Sequence, residues 1–159
     1  MTAVSALAAL ANAWGRLPLP AEHAVGISAG LLLHRRDARR LPAAAVPVGW
    51  PLVAAGIGLN VWAVVARGGE AIEHPTLLVT VGPQAWTRNP MYVGWTLLHV
   101  GAALLTRSPW VLATWPASFA LVHRSVLHEE QGLAHRFGRD FTEYRTRVPR
   151  YVGLPARGT

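Results

Sequence analysis

The chain reads LVTVGPQAWTRNPMYVGW from Leu78 to Trp95, between two apolar runs. Gly82-Pro83 is a turn signal. Arg88-Asn89-Pro90 then stands directly before a new apolar segment. Pro90 suits the first helical position, where a missing N–H costs nothing. Asn89 suits the N-cap, where a side-chain oxygen accepts a backbone N–H. The stretch predicts a turn followed by a helix entering apolar surroundings, with Arg88, Asn89 and the first free amides gathered at its mouth. Such a mouth attracts anions. Its plainest reading is a capped helix start with a snorkelling arginine.

Working outward, Met91 to Thr106 is one apolar run and Trp110 to Val122 is the next, containing Pro116. Only Arg107, Ser108 and Pro109 join them, and a connection that short predicts an antiparallel helical hairpin. No breaker intervenes before Gly132, so the second helix is expected to continue from His123 to Ala134. Arg136 to Arg147 then mixes charges with Phe137, Phe141 and Tyr144, spaced i, i+4, i+7 on one helical face. That spacing predicts an amphipathic helix against the membrane or the domain. Upstream, Pro47 to Ala66 carries no charge and has the roughly 20 residues that a span needs, with Trp50 near one end as in an aromatic belt. Leu17 to Leu33 is interrupted by Pro18, Pro20, Glu22 and His23, and Glu22 is expected at an interface. Ala3 to Trp14 is too short to span alone. The expected fold is all-α: a polytopic transmembrane helix bundle with a C-terminal helical hairpin and an amphipathic tail helix, in one domain over 1–159.

Composition agrees. Hydrophobic residues are 52 % and charged residues 14 %, where soluble domains average about 25 % charged. With no cysteine, a disulfide framework and a thiolate metal site are excluded. The net charge of +7 comes from arginine without lysine. These arginines flank apolar runs and crowd the C-terminal segment, which fits anionic lipid headgroups; no nucleic-acid partner is expected. Met1 to Trp14 has no basic start and no clear cleavage site, so no cleavable signal is expected.

The hairpin returns the chain to the face it left. Leu78–Asn89 and Glu129–Pro149 therefore share one face, and a polar site can be built from both. Glu129 and Glu130 project about 100° apart on a helix, and their plain reading is a solvated helix end. HEEQGLAH at 128–135 lacks the spacing that places two histidines one turn apart, so no metal is expected. His74 and His99 read as interfacial and packing residues, and Gly56 and Gly58 as sites of close helix approach. No Walker or dinucleotide fingerprint is present.

Two blocks carry a resemblance: LVT-x-G-x-x-AW-x-R-x-P-x-YVGW at Leu78–Trp95, and EE-x-x-L-x-x-x-FG-x-x-F-x-x-Y-x-x-x-VP at Glu129–Pro149. In order and one hairpin apart, they resemble the isoprenylcysteine carboxyl methyltransferase family, related to the phospholipid N-methyltransferases. The resemblance covers roughly the C-terminal half. It implies S-adenosylmethionine as methyl donor, cradled by Thr76, Leu77, Leu78 and Val79 and by Asn89, Pro90, Met91 and Tyr92. The helix mouth would hold the donor's carboxylate, and Trp86 or Tyr92 would offer an aromatic face to its sulfonium. Asn89 stands where animal members have His. Gln84 replaces a family Tyr; it can hydrogen-bond adenine or ribose but cannot stack.

The resemblance also assigns Glu129 to substrate, beside an Arg four residues earlier. Here that position is Ser125, with Arg124 one residue off and turned by about 100°. Glu130 then faces cofactor, solvent or a basic partner such as Arg88. The implied acceptor is lipid-like. A carboxylate acceptor needs only orientation by Arg88 or Arg124, whereas an amine must lose a proton to Glu129 or Glu130. The residues leave both open. A soluble cofactor puts the site in the cytoplasm. Counting back one span places Arg35–Arg40 outside, against the positive-inside rule, but seven arginines from Arg124 to Arg157 outweigh the four in that loop. Two other classes fit an apolar helical chain: a sterol-reductase-like enzyme using NADPH, and a non-catalytic membrane scaffold.

Overall fold

The computed structural model describes residues 21–37, 39–68 and 76–153. Ala3–Trp14, the first residues of the Leu17–Leu33 run and His74 lie outside them. Four helices follow in order: α1 Ala21–Arg36, α2 Val46–Arg67, α3 Pro90–Leu105 and α4 Pro109–Arg147, with 3₁₀ turns at Ala43–Ala45 and Gly82–Ala85. The described residues contain no strand.

The helix ends follow local chemistry. α2 has proline in its first turn and stops where Gly68 turns left-handed at φ 64°, its N–H donating to the Val65 carbonyl. α3 begins on Pro90. α4 begins on Pro109 after Ser108, whose hydroxyl accepts the Val111 N–H at 3.1 Å, a regular N-cap. Among the described residues, one helical stretch, Ala43–Arg67 with mean hydropathy 1.7, is long and apolar enough to cross a membrane by length and composition. α3 is apolar but has only 16 residues.

α2 runs antiparallel to α3 on facing glycines. A Cβ on Gly56 would sit 2.7 Å from the Gly94 carbonyl oxygen, and one on Gly101 would sit 3.1 Å from that of Gly49. Small residues let apolar helices touch backbone to backbone. Gly58 does not share the role expected of it: nothing lies within 4 Å of a Cβ built there, because it points off the α3-facing side. α1 packs on α4 in the same way, with a Cβ on Gly30 reaching to 2.7 Å from the Val111 nitrogen. His99, buried as a packing residue, joins three helices. Its Nε2–H donates to the Val111 carbonyl at 2.9 Å. That leaves Nδ1 to accept from His23 Nδ1–H at 2.9 Å, a tautomer set by the hydrogen bonds.

The hairpin forms as the short connection predicts, through Arg107 at φ 52°. Arg107 Nε donates to the Leu41 carbonyl at 2.8 Å, Leu41 N–H returns a bond to Arg107, and Trp110 Nε1 donates to Asp37. The α1–α2 connection and the hairpin turn therefore form one end of the bundle. The α2–α3 connection and the C-terminal segment form the other.

α4 departs from expectation. It runs through Gly132 and past the expected end at Ala134, and breaks only at Gly138, where φ is 49° and ψ −114°. A glycine inside a helix costs only about 1 kcal/mol, so Gly132 is no stop. The tail helix beyond the break lies against the domain: Phe141, Tyr144 and Val148 are buried against Leu78, Leu133, Ala134 and Phe137.

Candidate active site

At this second end the two sequence blocks meet through one guanidinium. The Arg88 side chain is 6 % exposed and lies 3.0 Å from Glu130 Oε1. Its Nη1 donates to the Val148 carbonyl at 2.7 Å and to that of Arg145 at 3.0 Å. Arg150 grips the other Glu130 oxygen at 2.8 Å. Burial alone would raise the Glu130 carboxyl, but hydrogen bonds from Arg150 and Arg88 outweigh it and hold the group below the usual carboxylate value. Of the three roles open to Glu130, the basic partner is the one seen.

The C-terminal segment is thereby strapped across the mouth of α3. Arg88 N–H donates to the Pro149 carbonyl, and Thr87 Oγ1 and Asn89 Nδ2 both donate to that of Arg150. Asn89 holds the N-cap position but makes no capping bond, against expectation. The tail carbonyl competes for its amide, and asparagine carries the donor that such a partner needs.

A cavity of about 450 Å³ opens beside the clamp. Leu77, Leu78 and Val79 form an apolar wall, Gln84 and Arg88 the base, and His128, Glu129, Leu133 and Arg136 of α4 the facing side. Gln84 is buried, and neither its amide nitrogen nor its oxygen has a partner. Its backbone carbonyl accepts the Tyr144 hydroxyl at 2.6 Å, and burial pushes that phenol up to about 12. Glu129 accepts the Tyr92 hydroxyl at 2.6 Å.

Of the residues expected at a site, Leu77, Leu78, Val79, Gln84, Arg88 and Glu129 line this cavity, and Tyr92 reaches it through Glu129. Thr76 is exposed beside it. Asn89, Pro90 and Met91 are not in its lining, and Pro90 and Met91 are buried in α3. Glu130 lies behind it in the clamp, and Arg124 is exposed on α4 away from it. Trp86 turns to the other side of the 82–88 turn, edge-on to Trp62 at 6.1 Å, where both line a separate apolar cavity of about 280 Å³. Sequence reasoning missed Arg67, His128, Arg136 and Tyr144 as lining residues. Tyr144 carried a signal as part of the tail-helix face; Arg67 lies outside both sequence blocks and carried none.

This is a helical bundle with an apolar-walled, charged cavity at one end, assembled from the α2–α3 connection, α4 and the C-terminal strap. Residues 45–140 match the phospholipid methyltransferase family, and the chain belongs to it. Protein-S-isoprenylcysteine O-methyltransferase of Xenopus laevis is 38 % identical over 79 residues, which cover 49 % of this chain and 27 % of that protein. The Homo sapiens protein of the same name is 37 % identical over the same shares. Nickel-cobalt-cadmium resistance protein NccN of Alcaligenes xylosoxydans xylosoxydans is 34 % identical over 76 residues, 48 % of this chain and 36 % of that protein. The chain thus spans about a quarter to a third of the length of these relatives, and the isoprenylcysteine methyltransferase resemblance holds.

Proposed function

We propose that this protein is an integral membrane methyltransferase that uses S-adenosylmethionine to methylate a lipid-like acceptor, with its site facing the cytoplasm and its apolar helices in multi-pass contact with membrane lipids. The observation that carries the reading is the 450 Å³ cavity built where the two family-like blocks meet. Its size falls in the range of about 300–1,000 Å³ typical of small-molecule sites. Its donor set also fits: a buried amide with both atoms unpartnered at Gln84, an apolar wall for a nucleoside at Leu77–Val79, and a carboxylate at Glu129 on the facing side. When bound, the sulfonium cofactor supplies an electrophilic methyl group.

The chain's own part is then positioning and proton handling. Glu129 lines the cavity and is held by the Tyr92 hydroxyl through one oxygen, which leaves the other free of that bond. With an amine acceptor, Glu129 would take the proton that the nitrogen gives up on methylation. With a carboxylate acceptor no base is needed, only orientation by a cation. Arg88 serves less as that cation than as the fastener that keeps the cavity in shape, since Glu130 and two carbonyls engage its donors.

Calorimetry in detergent tests the reading. S-adenosylmethionine and S-adenosylhomocysteine should bind and NADPH should not. Binding of NADPH alone would favour a reductase of the sterol type, and binding of neither would leave a scaffold.

A further inference from the structure

Three arginines line the cavity, and they are not equivalent. Arg88 is spent on Glu130 and on the Val148 and Arg145 carbonyls. Arg136 already has an interaction of its own within the protein. The Arg67 side chain has no hydrogen bond or ion pair among the described residues, although the residue is half-buried and on the cavity wall. It is the last residue of α2, held in place where Gly68 ends the helix in a left-handed turn. Its charge acts across the cavity on the Tyr144 phenol. The one acid of the described lining, Glu129, is taken by Tyr92.

We propose that Arg67 is the carboxylate-binding residue of this cavity. A half-buried cation facing a cavity is costly unless an anion meets it, and the described lining carries three arginines against one acid. A guanidinium offers two parallel N–H donors that match a carboxylate. The proposal rests on the methyltransferase reading, under which two carboxylates are available: that of the donor's methionyl group and that of an acidic acceptor. Arg67 lies outside both sequence blocks, so no motif assigns it.

The test compares wild type with Arg67→Gln and Arg67→Lys in detergent, each checked for an unchanged melting temperature. The ligands are S-adenosylhomocysteine and 5′-methylthioadenosine, which share the nucleoside and thioether but differ in the carboxylate. If Arg67 holds the donor, Arg67→Gln weakens S-adenosylhomocysteine at least tenfold, leaves methylthioadenosine unchanged, and Lys restores part of the loss. If it holds the acceptor, both nucleosides bind as in wild type, while KM for an N-acetyl-S-prenylcysteine rises at least tenfold. A folded Arg67→Gln protein with wild-type values for all three ligands overturns the assignment. A wild-type protein that binds neither nucleoside overturns the methyltransferase reading beneath it, a result distinct from loss of the Arg67 effect alone.

Discussion

The two ends of the bundle use the same device to different purpose. At the hairpin end, Arg107 donates to the Leu41 carbonyl, Leu41 answers it, Trp110 reaches Asp37 and Ser108 caps α4. These groups find their partners inside the protein, as groups that serve only folding do. At the other end Arg88 also donates to backbone carbonyls, but a carboxylate and a second arginine join it, and the closure is incomplete. The Gln84 amide has no partner, and the Arg67 guanidinium has none among the described residues. Both polar groups adjoin the same cavity. Other buried polar atoms without a partner, at His23, Asn60 and Trp115, are scattered along the helices; what marks this end is that these two groups share one cavity with a carboxylate.

Substitutions can break this contrast. The largest effect should come from Glu130→Gln, which leaves two guanidiniums facing each other, one of them 6 % exposed. Breaking such a pair costs about 3 kcal/mol or more, read as a lower melting temperature in detergent. The folded carboxyl titrates below its ordinary 4.5. Its contribution is therefore complete above about that pH and is lost as pH falls through the lower folded value. Wild type should lose stability on acidification below 4.5, and the mutant should show a flatter acid limb; matching limbs would mean that another group governs them.

Next is Glu129→Gln. With an amine acceptor, turnover should fall about a hundredfold, which is about 2.7 kcal/mol in the barrier. S-adenosylhomocysteine affinity should hardly change. Turnover near wild type would return Glu129 to a solvated helix end. At the hairpin end, Ser108→Ala removes a real cap and should cost about 1 kcal/mol of stability, with cofactor affinity intact. A change in affinity would show that the two ends are coupled. Smallest is Asn89→Ala, at about 0.5 kcal/mol for one half-buried bond to the Arg150 carbonyl. A loss near 2 kcal/mol would mean that Asn89 caps α3 in solution after all.

Pro47–Ala66 announced α2 almost to the residue, because an uncharged run of that length has few alternatives. The three-residue link at Arg107–Pro109 likewise dictated an antiparallel hairpin, and with it the meeting of residues 78–89 with 129–149. The tail-helix break could not be placed from local pattern: Gly132 and Gly138 look alike in sequence, and only packing of Phe141 and Tyr144 under Leu78 demands a sharp turn at the second. Asn89 reads as a cap because a cap is a local matter, yet a carbonyl 61 residues away claims its side chain.

The sequence by itself determined the apolar helices, the hairpin, the glycine-lined seam at Gly56 and the face on which the polar blocks gather, since each depends on near neighbours or on the length of an uncharged run. Tertiary structure decided how the charges divide. Arg67, Arg88, Arg124 and Arg136 carry the same guanidinium; burial, an acid from α4 and carbonyls from the strap make Arg88 a fastener, leave Arg124 in solvent and turn Arg67 toward the cavity. A charge acquires its role from what surrounds it in low dielectric, and those surroundings come from segments far apart in the chain.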